Sequence, residues 1–109
     1  MTAMPIGALR HRVVLQHAVR TADGGGGAAE TWSTVAELWA AVRPITGDER
    51  VAADALSGQL THEVWVRHRA GVTPSMRFLI GSRILDIRAV IDADGRGRRL
   101  KCQCRERDL

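Results

Sequence analysis

The sequence predicts an all-β domain built from short antiparallel strands, and three observations carry that prediction. Near the C-terminus, Arg99-Leu100-Lys101-Cys102-Gln103-Cys104-Arg105 alternates polar and apolar side chains without a fault. This is the period of a strand with one buried and one wet face. Asp92-Ala93-Asp94-Gly95-Arg96-Gly97 precedes it, and the Asp-Gly step favours a tight hairpin turn. Upstream, strand-length apolar runs recur between short Gly, Pro and Ser breaks, as in a meander or a small barrel.

Taken in order, His11-Arg12-Val13-Val14-Leu15-Gln16-His17 reads as the first strand. Ala22 to Glu30 (ADGGGGAAE) is too flexible and too poor in apolar anchors to pack, so a mobile hairpin loop is expected there. Thr31 to Ile45 restarts the order. Its Ala, Glu and Leu content would also suit a helix, but Val35, Trp39 and Val42 with a terminal Arg43-Pro44 favour a long, partly covered strand. Thr46 to Gln59 is the one segment of helical character, with Val51, Ala52, Ala55 and Leu56 recurring on one weak face. It is read as a marginal helix or an extended arm.

Thr61 to Arg69 is a strand with Val64 and Val66 inward, broken by Ala70-Gly71-Val72-Thr73-Pro74. Met76 to Ile80 resumes as a short strand, and Gly81-Ser82 turns the chain into Arg83-Ile84. Leu85, Ile87, Ala89 and Ile91 then share one face of a strand that pairs with the C-terminal one.

At 109 residues the chain fits one domain, residues 1–109, with no room for a second core. No run of about 18 apolar residues is present to span a membrane. The N-terminal MTAMPIGALRHRVV lacks the apolar stretch of a signal peptide, so a cytoplasmic start is expected. The net charge is +4, almost all of it from arginine, since Lys101 is the sole lysine. Such a balance fits contact with nucleic acid, or equally arginine spread over solvated strand faces. Cys102 and Cys104, two apart on a strand, read as buried reduced thiols on one face.

The sequence holds no Walker A loop, no G-x-G-x-x-G, no HExxH and no nucleophile elbow. Gly24-Gly25-Gly26-Gly27 lacks the Lys-Ser/Thr that phosphate cradling needs. His62 and His68 would stand about 20 Å apart along one strand, too far to share a metal. With no Tyr and one Phe, the aromatic platform of a single-strand binder is missing. Trp32, Trp39 and Trp65 are expected in core or subunit-interface packing. No catalytic residue, cofactor or metal is expected.

The order of features resembles the phage head-tail joining proteins, the head-closure or stopper group. Leu9-Arg10-His11-Arg12-Val13 opens the match, followed by a polar Gly-containing loop and Glu30-Thr31-Trp32. Leu38-Trp39-Ala40-Ala41-Val42-Arg43-Pro44 runs into Thr46-Gly47-Asp48-Glu49. Thr61-His62-Glu63-Val64 with Arg67 to Arg77 is similar to the family's central strand and turn, and Ile84 to Ile87, the Asp92 to Gly95 turn and the last strand complete it.

The resemblance implies a small antiparallel β-barrel of about six strands with one long inserted loop or short helix. It implies a homo-oligomeric ring, six- or twelve-fold, in the neck of a virion or gene transfer particle assembled in the host cytoplasm. The ring would lie between portal or adaptor proteins and the tail terminator or tail, enclosing packaged double-stranded DNA. The inserted arm, Thr46, Gly47, Asp48, Glu49, Arg50 and Val51 within residues 46–59, would face the channel or a neighbouring subunit. Arg50 would meet DNA phosphates or form an intersubunit ion pair. Asp23, Gly24, Gly25, Gly26 and Gly27, within residues 22–30, would touch adaptor or tail. A stand-alone basic nucleic-acid-binding barrel and a tail-completion protein of the same neck are the competing expectations.

Overall fold

The computed structural model describes residues 9–22, 24–45, 60–93 and 95–107. They form strands β1 (His11–Ala22), β2 (Ala28–Pro44), β3 (His62–Arg67), β4 (Arg77–Ile80), β5 (Arg83–Asp92) and β6 (Arg99–Glu106), with no helix among the described residues. The strands close into a barrel in the order β1-β2-β3-β6-β5-β4, every neighbouring pair antiparallel. The predicted all-β barrel is therefore the observed fold.

The connectivity is more than a simple meander. Two three-stranded meanders, β1-β2-β3 and β4-β5-β6, join along β3·β6 and along the short β1·β4 seam of Val14↔Leu79, Leu15↔Phe78 and Gln16↔Arg77. β3 and β4 follow one another in sequence but are not neighbours. Closure leaves the barrel body without a free sheet edge.

Inside, Val13, Leu15, Ala40, Val64, Val66, Phe78, Leu85, Ile87, Leu100, Cys102 and Cys104 form one buried cluster. Val64, Val66 and the two cysteines point where alternation predicts. β5 does not keep its predicted face. The register shifts between Ile87 and Ala89, so Arg88 is an extra residue opposite β6. Such a bulge exchanges the faces of everything beyond it. Val90 thus packs against the core opposite Cys102, while Ile91 is 40% exposed, contrary to the expectation that Ile91 faces inward with Leu85 and Ile87.

The hairpin loop is also shorter than expected. β1 and β2 pair as far as Ala22↔Ala28, so Ala22 and Ala28 to Glu30 belong to strands and residues 23–27 make the connection. Beyond Gln16 and Thr34 neither strand has a second partner. His17–Ala22 and Ala28–Ser33 therefore run on as a two-stranded ribbon, about 20 Å past the barrel wall.

Two turns show why the ladder stops where it does. Gly81, at φ +59, opens the two-residue turn closed by Ile80↔Arg83; positive φ at that position alone is the type II′ pattern, which matches strand twist. Asp92 caps the β5–β6 connection, its carboxylate accepting from the Gly95 N–H at 3.1 Å and the Gly97 N–H at 2.8 Å.

Burial makes the thiols inert. Desolvation pushes Cys102 up to about 12, and Cys104 is also raised well above the ordinary thiol value, chiefly by desolvation. At pH 8 Cys102 is then almost wholly in the unreactive thiol form. An Ellman titration of the native protein at pH 8 should give almost no reaction, and both thiols should react once urea unfolds the chain; prompt reaction of the native protein would contradict the inward placement. The linkage has one sign. The folded state holds these protons more tightly, so the thiols leave stability unchanged below about pH 9 and lower it as pH rises from 9 toward 12.

Candidate functional site

The residues expected to form the channel arm, Thr46, Gly47, Asp48, Glu49, Arg50 and Val51, lie outside the described residues, as does Asp23. What is described is where that segment is anchored. Its flanks, Ile45 and Leu60, are both buried and pack against each other, and Ile45 donates its N–H to the Thr61 carbonyl at 2.9 Å. The two ends that flank residues 46–59 therefore meet at one point beside β2 and β3. Gly24, Gly25, Gly26 and Gly27 are exposed at the far tip of the β1–β2 ribbon. Gly24 and Gly26 take φ of +83 and +85, and a Cβ at either would meet nothing within 4 Å. Glycine is required there by backbone conformation, not by close approach.

The wall of the barrel carries a pattern that the linear sequence hides. Among the described residues every carboxylate already has a partner. Arg20 holds Glu30, Arg12 holds Glu37, Arg43 and Lys101 hold Glu63, Arg107 holds Asp86, Arg83 holds Glu106, and Asp92 takes turn amides. Arginines exceed carboxylates there, with and without acidic partners. They fall into two groups.

The first group surrounds Asp86. Arg77 and Arg105 stand opposite it on the two flanking strands, and Arg107 chelates it from 2.7 and 2.9 Å. Arg77 lies over the Trp32 ring at 4.0 Å and donates to Gln16 Oε1 at 2.9 Å. Burial and then the neighbouring Arg107 lower the Arg77 pKa, whereas the hydrogen bond to Asp86 raises that of Arg107. An open pocket of about 320 Å³ is lined by Asp86, Arg88, Arg105 and Arg107. One carboxylate among four guanidiniums leaves this face cationic, suited to phosphate or carboxylate groups.

The second group is a row across four strands. Arg12 is opposite Trp39, the β2–β3 register sets Trp39 beside Arg67, and Arg67 is opposite Arg99. All four alternate with inward residues and so face out. Trp39 is 53% exposed, so of the two expectations for it core packing is excluded and interface packing is left; Trp65 alone of the three is buried. Sequence reading missed this row because the strands bring together positions nearly ninety residues apart. The signal available was Trp39 on the polar face of its own alternation.

His62 faces Thr61, Arg83 and, at 4.0 Å, Glu106. No cluster of metal-binding side chains occurs among the described residues.

These features define a small closed six-stranded β-barrel with arginine-rich patches on its outer wall. The chain belongs to the phage head completion protein family, whose model matches residues 4–107. It is similar to head completion protein gp7 of Enterobacteria phage HK97, with 29% identity over 107 residues, covering 94% of this chain and 96% of the relative. Among solved structures it is similar to a chain in the virion of a native gene transfer agent particle, with a TM-score of 0.68 and 32% identity over 92% of this chain and 94% of that one. It is also similar to protein SF1141 of Shigella flexneri 2a, with a TM-score of 0.75 and 32% identity over 94% of this chain and 96% of that one.

Proposed function

We propose that the protein is a head-tail connector of the stopper type, a ring component between the portal or adaptor and the tail of a phage or phage-like particle. The observation that carries this reading is the likeness, over nearly the whole length, to a chain in the virion of a gene transfer agent. The chemistry agrees with it. A closed barrel offers a rigid unit for a ring, and surface arginines without acidic partners attract DNA phosphates without reading sequence. The ring is six- or twelve-fold. The arm at 46–59, pinned at Ile45 and Leu60, faces the channel or the next subunit, and the glycine tip at 24–27 meets the adaptor or tail.

The test is genetic and structural. Particles made without this chain should package DNA but leak it or lack tails, and cryo-electron microscopy of complete particles should place the chain between portal and tail. Infectious, tailed particles without it would remove the proposal. The arginine excess also favours a stand-alone DNA-binding role. That role predicts steeply salt-dependent binding of isolated monomer to duplex DNA, and its absence at about 50 mM salt excludes it.

A further inference from the structure

We infer that the outer row Arg12–Trp39–Arg67–Arg99 is a docking face for a different protein, one that presents carboxylates around an apolar side chain. The inference deepens the connector reading and rests on it, since the partner is sought within the assembled particle.

The row crosses four adjacent strands and so extends about 14 Å. Trp39 is its one apolar member, with an arginine on either side. Trp39 is half exposed, with the Arg12 guanidinium 4.9 Å from its ring centroid and Arg12 itself tied to Glu37 at 2.7 Å. Beside the indole an open pocket of about 260 Å³ is lined by Glu37, Leu38, Trp39, Arg67, His68 and Arg69. Arg67 stands directly opposite Arg99, and like charges in that position destabilise a sheet. Neither has an acidic partner among the described residues, and the Arg99 Nε is buried there without an acceptor. Arg69 and Arg98 flank the pair, because the His68 N–H bonds to the Arg98 carbonyl. The monomer therefore carries an unfavourable charge pair, an unmet donor and an uncovered indole side by side. One acidic, partly apolar surface satisfies all three.

Two other occupants fit less well. Duplex DNA would meet the arginines, but its phosphate backbone offers no apolar surface to cover Trp39, and its bases are stacked away. A second copy would have to bring its carboxylates from outside the described barrel, because each described one already holds a partner. A foreign protein surface answers both halves of the row, and Trp and Arg are the residues in which interface energy concentrates.

The test uses particles lacking this chain, to which purified full-length protein is added. Trp39→Ala and the double variant Arg67→Glu/Arg99→Glu should each lower occupancy at subsaturating protein at least about tenfold. Thermal melts should show both still folded, since the row is on the surface. In parallel, Arg69 is replaced by the photocrosslinker p-benzoylphenylalanine, and the crosslinked peptide is identified by mass spectrometry. A crosslink to a different particle protein, at a segment carrying Asp or Glu beside an apolar residue, is the expected result. A crosslink to a second copy or to DNA, no crosslink at all, or wild-type occupancy by folded Trp39→Ala would overturn the inference while leaving the connector reading intact. Failure of the wild-type chain to join the particles would remove both.

Discussion

Replacing Glu63 by leucine is expected to lower stability by about 3 kcal/mol, and adding Lys101→Met to that variant should recover much of the loss. Glu63 lies on the outer face of β3 yet is only 5% exposed. It pairs with Arg43 and, at 3.7 Å, with Lys101, whose side chain is 13% exposed. Removing the carboxylate leaves the Lys101 ammonium desolvated beside the Trp65 ring, 5.8 Å from its centroid. Arg43 matters less because its side chain is 39% exposed and can turn into water. Removing both buried charges takes away the penalty together with the attraction, which is why the double variant regains stability. For a domain of this size the single change corresponds to a Tm fall of about 12 °C. Thermal melts of the two single variants and the double variant complete the cycle. Additive losses would show that Glu63 and Lys101 are not coupled.

Phe78→Ala should be at least as damaging, at about 3–5 kcal/mol. Phe78 is the largest of the fully buried side chains and belongs to the four-residue strand β4. It stands opposite Leu15 on one side and Leu85 on the other, so it fills the seam where the two meanders close. Truncation there opens a cavity on the least extensively paired interface of the barrel. Total stability for such a domain is about 5–15 kcal/mol, so the variant should unfold at markedly lower urea, with an unchanged slope if the unfolded state is the same. Phe78→Leu, which keeps most of the volume, should cost far less. Similar midpoints for the two variants would show that the seam does not depend on this ring.

Much of the barrel was legible along the chain because strand alternation is local. Arg99 to Arg105 could be divided into wet and buried faces by counting, and Val64, Val66, Cys102 and Cys104 turned inward as that count requires. Where an irregularity entered, counting failed. The bulge at Arg88 moved Ile91 out and Val90 in, and nothing in Leu85 to Ile91 marks where the extra residue falls. The loop from Ala22 to Glu30 was too generously drawn for a related reason. Alanine and glutamate are weak strand formers, and only pairing with the opposite strand extends β1 and β2 to Ala22↔Ala28.

The site divides in the same way. By itself the sequence determined an all-β domain, the absence of a known catalytic motif, an arginine-rich charge and a resemblance now matched by the family model over residues 4–107. The tertiary structure alone decided where that charge collects. Arg12, Trp39, Arg67 and Arg99 are far apart in sequence and adjacent across four strands, and only the closure of the barrel sets the register that aligns them. Glu63 likewise reads as an ordinary polar position on a half-wet strand. It becomes a buried charge only because neighbouring strands bring Arg43 and Lys101 over it. Local periodicity fixes which way a side chain points, but long-range pairing fixes what it points at, and surface chemistry depends on the second.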